Sequence, residues 1–389
     1  MIRPARFVLA ASHRNVARAM VLAGALGVAL GLLADPQRTW ADLLMNGFYT
    51  IAVALGGMLF ISLQYLSGAK WPAGIRRVPE AMMSALPVAA VLMLTLFFGR
   101  HWIYPWSRAG AFAGELTAGG KATYLSAPFF FARMALIVIV WATFAYLMRR
   151  SSLRQDGDAA PIHHQHLVRY SAAFTVVFAI SFSLASFDWL MTLDPRWTST
   201  VFAIYMFAGV LLQGIAAITL IVVLLRERGY LTDVINAHHL HDLGKLLFAF
   251  STFWAYIWLS QYLLIWYGNL PDEVTYYVRR TGEAWVALFF LNVVLNWAVP
   301  FLVLLPRSSK RSAVVLKWVA IVILTGRWLD LYLTVMPEMT AAPKVGVLDA
   351  LIVAGYAGVI FLLATSALAS APLVALNDPN LRASLAHHQ

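Results

Sequence analysis

The chain has 389 residues, 61% of them hydrophobic and only 12% charged, with a mean hydropathy of +0.73. Soluble domains carry about 25% charged residues, so a soluble globular protein is excluded and one polytopic membrane domain over residues 1–389 is predicted. The formal charge of +11 is spread over many short loops and marks no nucleic-acid surface. Cysteine is absent, which removes disulfides, haem c attachment, thiolate iron–sulfur ligation and cysteine nucleophiles together.

A helix crossing the hydrocarbon core needs about 20 mainly apolar residues. Ten runs qualify: 16–34, 42–66, 81–99, 127–148, 170–190, 200–225, 245–267, 284–305, 313–335 and 350–372. The first follows Arg3, Arg6, Arg14 and Arg18. It reads as a retained anchor rather than a cleaved signal, because its small-x-small site, Ala29-Leu30-Gly31, lies inside the apolar run. Of the 29 Lys and Arg, nineteen fall at the termini or in even-numbered loops, eight in odd-numbered loops, and Arg133 and Arg327 inside spans. The bias predicts both termini in the cytoplasm. Trp102, Trp106, Trp189, Trp197 and Trp266 crowd the span ends as an aromatic belt does.

Between spans, 100–126 is the longest outer loop, and the polar segment 149–169 with Asp156-Gly157-Asp158 reads as a mobile loop. Spans two to five and six to nine run in the same directions, which suggests a parallel duplication. Span five ends Phe187-Asp188-Trp189 and span nine ends Trp328-Leu329-Asp330, an acid beside a Trp in both.

Several costly groups fall at the outer level. A charge at mid-span costs about 2.5–3.5 kcal/mol on insertion scales, so each needs a partner or a function. Asp42 opens span two, His101 closes span three, Arg133 enters span four, Asp188 closes span five, and Arg327 with Asp330, three apart on one face, closes span nine. One shared pocket is the sharp expectation: Asp42, His101 and Asp188 as proton acceptors for a neutral quinol, tuned by Arg133. Snorkelling of Arg133, helix-start placement of Asp42 and a structural Arg327–Asp330 pair are the plain alternatives.

At the inner level Glu80 starts span three, and His238, His241, Asp242 and Lys245 lead into span seven. They are candidates for proton entry from the cytoplasm, though a solvated helix start is the preferred reading of the second group; no metal site is expected. None of the ten His lies mid-span, which argues against a bis-His haem b. Asn292 and Asn296, four apart, are expected to hydrogen-bond between helices.

Four segments carry a resemblance: Arg76-Arg-Val-Pro-Glu80-Ala-Met82, Phe187-Asp188-Trp-Leu-Met-Thr-Leu-Asp194-Pro195, the run from His238 to Phe250, and Trp254-Ala-Tyr-Ile-Trp258-Leu-Ser-Gln261-Tyr262. Over about residues 20–370 the chain resembles the ActF-type membrane subunits of bacterial alternative complex III, a quinol:electron acceptor oxidoreductase. These belong to the polysulfide-reductase-like (NrfD-type) group. The resemblance implies an all-α integral membrane protein with two four-helix bundles, helices 2–5 and 6–9, flanked by helices 1 and 10. It also implies no haem, iron–sulfur cluster or covalent cofactor in this chain, and quinol, menaquinol included, as substrate. Its implied partners are a sister NrfD-like subunit, an iron–sulfur subunit and c-type cytochromes. In that family the better-supported quinol pocket belongs to the sister subunit. A purely structural anchor is therefore the main rival. A secondary transporter is the weaker one, because Pro87 in span three and Pro300 in span eight are not at matched positions.

Overall fold

A computed structural model describes residues 6–108, 110 and 120–388; Arg3 and the middle of the 100–126 loop lie outside them. Ten helices are long and apolar enough to cross a membrane: α1 Ala11–Ala34, α2 Pro36–Leu66, α3 Arg77–Leu94, α4 Ala127–Gly157, α5 Pro161–Leu193, α6 Phe202–Glu227, α7 Ala237–Gly268, α8 Val286–Leu304, α9 Ala313–Glu338 and α10 Val347–Ala369. No strand occurs among the described residues. This is an all-α, multi-span membrane protein. The segments before α1 and after α10 meet at one end of the helix stack, where Arg6 bridges to Pro372; this is the termini end and the other is the far end.

Local chemistry sets the boundaries. Asp35 accepts the Arg38 N–H at 3.2 Å and Pro36 takes the first position, so α2 starts six residues before its apolar run. Asn236 caps α7 through the His238 and His239 N–H groups, and Asn269 closes it in the left-handed region at φ 47°. α3 is interrupted at Ser84–Ala85, because Pro87 displaces the carbonyl four residues back, and it resumes past Thr95 as Leu96–Ile103. In α8 the turn Val294–Ala298 widens to a π-helix just before Pro300, which has no N–H to donate.

The packing is two square bundles. α2 lies on α3 and α5, and α4 closes the square against α3 and α5; α6 lies on α7 and α9, and α8 closes it against α7 and α9. The bundles meet along α2 and α6, with α5 against α6 and α9 against α2. That is the contact pattern of a two-fold relation in which α2 maps on α6 and α5 on α9. α1 and α10 pair and flank α2 and α3. Both close crossings use glycine. A Cβ on Gly56 falls 2.5 Å from the Gly214 Cα, and a Cβ on Gly24 falls 2.5 Å from the Gly355 Cα. Small residues let backbones approach where helices have only packing to hold them.

The duplication is sharper in structure than in the Trp residues that suggested it. Aligning the carboxylates gives Asp188, Thr192, Pro195 against Asp330, Thr334, Pro337. Each Thr hydroxyl donates to the carbonyl of its Asp, four residues back, and each helix then runs into a 3-10 turn, Met191–Leu193 or Met336–Glu338.

The mobile loop expected at 149–169 is not there. α4 continues to Gly157 and α5 begins at Pro161, leaving three residues between them. Asp156 is paired with Arg77, and Ser151 donates to the His163 carbonyl at 3.2 Å, so both helix ends are held.

Candidate functional site at the far end

The far-end charged residues do not share one pocket. They fall into three clusters, and no hydrogen bond or ion pair among the described residues joins the charged groups of one to another. The single convergent pocket is therefore corrected to separate sites. A depth reading puts side chains in one plane but leaves their direction around each helix open.

In the first bundle Asp188, 1% exposed, accepts Arg133 Nε at 2.9 Å and the Tyr124 hydroxyl at 2.9 Å. The Arg133 guanidinium lies 3.8 Å from the Tyr124 ring centroid and 4.5 Å from that of Phe129, and donates to the Tyr124 carbonyl at 3.0 Å. Arg133 therefore reaches back to the end of its helix, as snorkelling predicts, and is paired there as well. Burial, then the Asp188 carboxylate, pushes the Tyr124 phenol above its ordinary range, so it remains a neutral donor. Tyr124 and Phe129 are exposed, so the cluster sits at the rim of the bundle.

In the second bundle the equivalent acid, Asp330, is enclosed. Arg327 Nη1 lies 2.7 Å from its Oδ2; its Oδ1 accepts the Tyr205 hydroxyl and, at 2.6 Å, the Asn292 amide. Asn296 continues the string, donating to Asn292 Oδ1 at 2.7 Å. The expected bond between helices is thus made by Asn292, while Asn296 bonds along its own helix. Arg327 fits because Gly209 on α6 has no side chain; a Cβ there falls 2.1 Å from Nη2. The short helix Pro271–Thr281 closes the far end. Buried Arg280 donates to the Leu333 and Thr334 carbonyls at 2.7 and 2.9 Å, and its guanidinium lies 3.3 Å from the Tyr276 centroid. Burial raises the Tyr276 phenol. A cavity of about 20 Å³ lies beneath, touching Asp330, Gln261 and Arg280, enough for roughly one water.

The third cluster lies between α2 and α10. Asp42, 2% exposed, lies close to the Asp349 carboxyl, which Arg38 and the Gly346 N–H hold. His101 belongs to none of the three. It is exposed at the end of Leu96–Ile103, 3.4 Å from the Ser107 hydroxyl, which corrects its expected place beside Asp188.

At the termini end the candidates divide again. Glu80 is buried in a clasp, 3.1 Å from Arg76, 2.6 Å from Arg77 and bonded by Ser152; Arg76 also grips Asp378, and Arg77 grips Asp156. A carboxylate held by two guanidiniums inside a closed network is a structural tie and no open proton mouth. On α7, Asp242 lies 2.6 Å from Lys245 and 2.6 Å from His387, and His238 packs on the rings of His387 and His388. His241 is part-buried beside them. Both groups are fastened by the segment after α10. Asp378 reaches the first bundle, while Ser384 and His387 reach His239 and Asp242 of the second.

The sequence reading missed Tyr124, Tyr205, Asp349, Arg38, Arg280 and the strap residues Asp378, Ser384 and His387. Asp349, three residues past the helix-starting Gly346, had a legible signal as an N-terminal acid. The two tyrosines had none. Neither the protein-family models nor the curated proteins contain a match to this chain.

Proposed function

We propose that the chain is the non-haem membrane subunit of a quinol-oxidising respiratory complex and supplies proton-accepting groups at its outer face. On this reading the membrane is the bacterial inner membrane, the Lys and Arg bias puts the termini end in the cytoplasm, and the far end is the outer side. The observation that carries the reading is the doubled aspartate. Each bundle holds, at the same point of the repeat, a buried carboxylate bonded by a tyrosine hydroxyl and paired with an arginine. A charge at that depth is expensive, and keeping two of them asks for a use.

The chemistry follows from the overall change: a quinol becomes a quinone and releases two protons and two electrons. The chain has no cysteine, so the electrons pass to partners, an iron–sulfur subunit and c-type cytochromes, beside a sister membrane subunit. What remains for this chain is the protons. Asp188 lies at the bundle rim, where a quinol hydroxyl proton can pass to it by relay: Tyr124 gives its own proton to the carboxylate as it takes the quinol's, and so stays neutral.

The test is Asp188→Asn in the assembled complex, with quinol:cytochrome c turnover as readout. General acid–base groups contribute roughly 10²–10⁴-fold, so turnover at a tenth or less of wild type is expected. Wild-type turnover would make the subunit the structural anchor of the complex.

A further inference from the structure

α10 leans on α1, α2 and α3 and leaves the flank of α9 uncovered. Between α9, α10 and α2 this opens a cleft of about 590 Å³, within the usual size of small-molecule sites. Its floor and walls are apolar: Leu220, Ile321, Leu324, Val353 and Ile360. Ala350 and Ala357 line it from the exposed side of α10, so it faces the lipid. From Asp349 down to Ile360 the helix rises about 16 Å, so the cleft runs from the far end toward mid-membrane.

The polar groups gather at one end. Asn46 Oδ1 accepts Trp328 Nε1 at 3.1 Å, and the Asn46 amide donates to the Asp42 carbonyl at 2.9 Å. Asp349 lines the mouth with its carboxyl against Asp42, whose Oδ1 is buried without a partner. Arg38 at the mouth is committed to Asp349 and the Lys344 carbonyl. The mouth thus presents carboxyl and amide oxygens as acceptors, with the Asp349 charge already matched by Arg38. A phospholipid phosphate would have to compete with Asp349 for Arg38. A neutral ring carrying hydroxyl donors on a long apolar chain fits both ends.

Resting on the quinol reading above, we infer that this cleft is a docking site for an isoprenoid quinol, its hydroxyl donating to Asp349 and its chain lying along α9 and α10. It is separate from the Asp188 cluster, so the two fail independently.

The test uses the assembled complex in phosphatidylcholine nanodiscs and a photoreactive azido-quinone with a decyl chain. The expected label falls on 321–328 and 345–360. Ala357→Trp, which fills the cleft from its exposed side, lowers that label at least tenfold; Ala350→Trp is the second variant if the first does not assemble. A fivefold excess of anionic phospholipid leaves the label in place. Label confined to other segments, label unchanged in both tryptophan variants, or label displaced by phospholipid overturns the inference. The last result would make the cleft a lipid groove. Loss of turnover in Asp188→Asn with no label in the cleft overturns the docking site alone. Label in the cleft with normal Asp188→Asn turnover overturns the role given to Asp188 and leaves the docking site standing.

Discussion

Replacing Arg133 with Met strips Asp188 of its guanidinium while keeping most of the side-chain volume. Breaking a fully buried ion pair by removing one partner costs about 3–5 kcal/mol. Two features reduce that here. The Arg133 side chain is 13% exposed, and Tyr124 still donates to Asp188. About 2–3 kcal/mol is therefore expected for Arg133→Met. Asp188→Leu leaves Arg133 stacked on Tyr124 and Phe129 at the rim and costs less, about 1–2 kcal/mol. The double variant, with no charge to strand, falls within about 1 kcal/mol of wild type, giving a coupling of about 3–4 kcal/mol. Reversible unfolding in mixed detergent, followed by far-ultraviolet circular dichroism, measures all four corners of the cycle. The same four proteins are then assayed for turnover, and the double variant is expected to be stable and inactive. Costs that simply add would show that the two side chains do not interact as described. A double variant both stable and fully active would make the pair scaffolding.

Three further outcomes follow from the packing and the reading. Gly56→Leu drives a side chain into the Gly214 backbone, which has no flexible end to yield; a loss of about 1–3 kcal/mol is expected in the same assay. Gly157→Ala meets nothing within 4 Å and serves as the neutral control. Asp378→Asn releases the strap from Arg76, and faster proteolysis beyond Ala369 together with a lower melting temperature is expected, whereas unchanged digestion would contradict the strap. Because the chain has no cysteine, single substitutions report sidedness directly. Asn380→Cys should react with an impermeant maleimide only from the cytoplasm and Tyr267→Cys only from outside; the reverse labelling inverts the orientation.

How far the sequence could be read depends on what each signal encodes. Apolar run length encodes a span, and all ten spans stand, with caps such as Asp35 and Asn236 carrying α2 and α7 beyond their apolar runs. Parallel direction encodes a duplication, and the two bundles with flanking α1 and α10 bear it out. Spacing of three encodes a shared face, so Arg327–Asp330 was legible. Arg133 and Asp188 are 55 residues apart, and only their common depth linked them. That same depth wrongly joined Asp42 to them. Its neighbours depend on α10 returning across the front of α2, which no local pattern states. The termini end was misread for a related reason: the helix-starting charges of Arg76, Glu80 and Asp242 look solvated until the strap covers them.

The most direct test of the central claim is proton release. The complex is reconstituted into vesicles with its far end facing the medium, and an impermeant pH dye records acidification per quinol oxidised. With Asp188→Asn, the initial rates of acidification and of cytochrome reduction should fall together, to a tenth of wild type or below. Acidification and reduction both at wild-type rates would contradict the account.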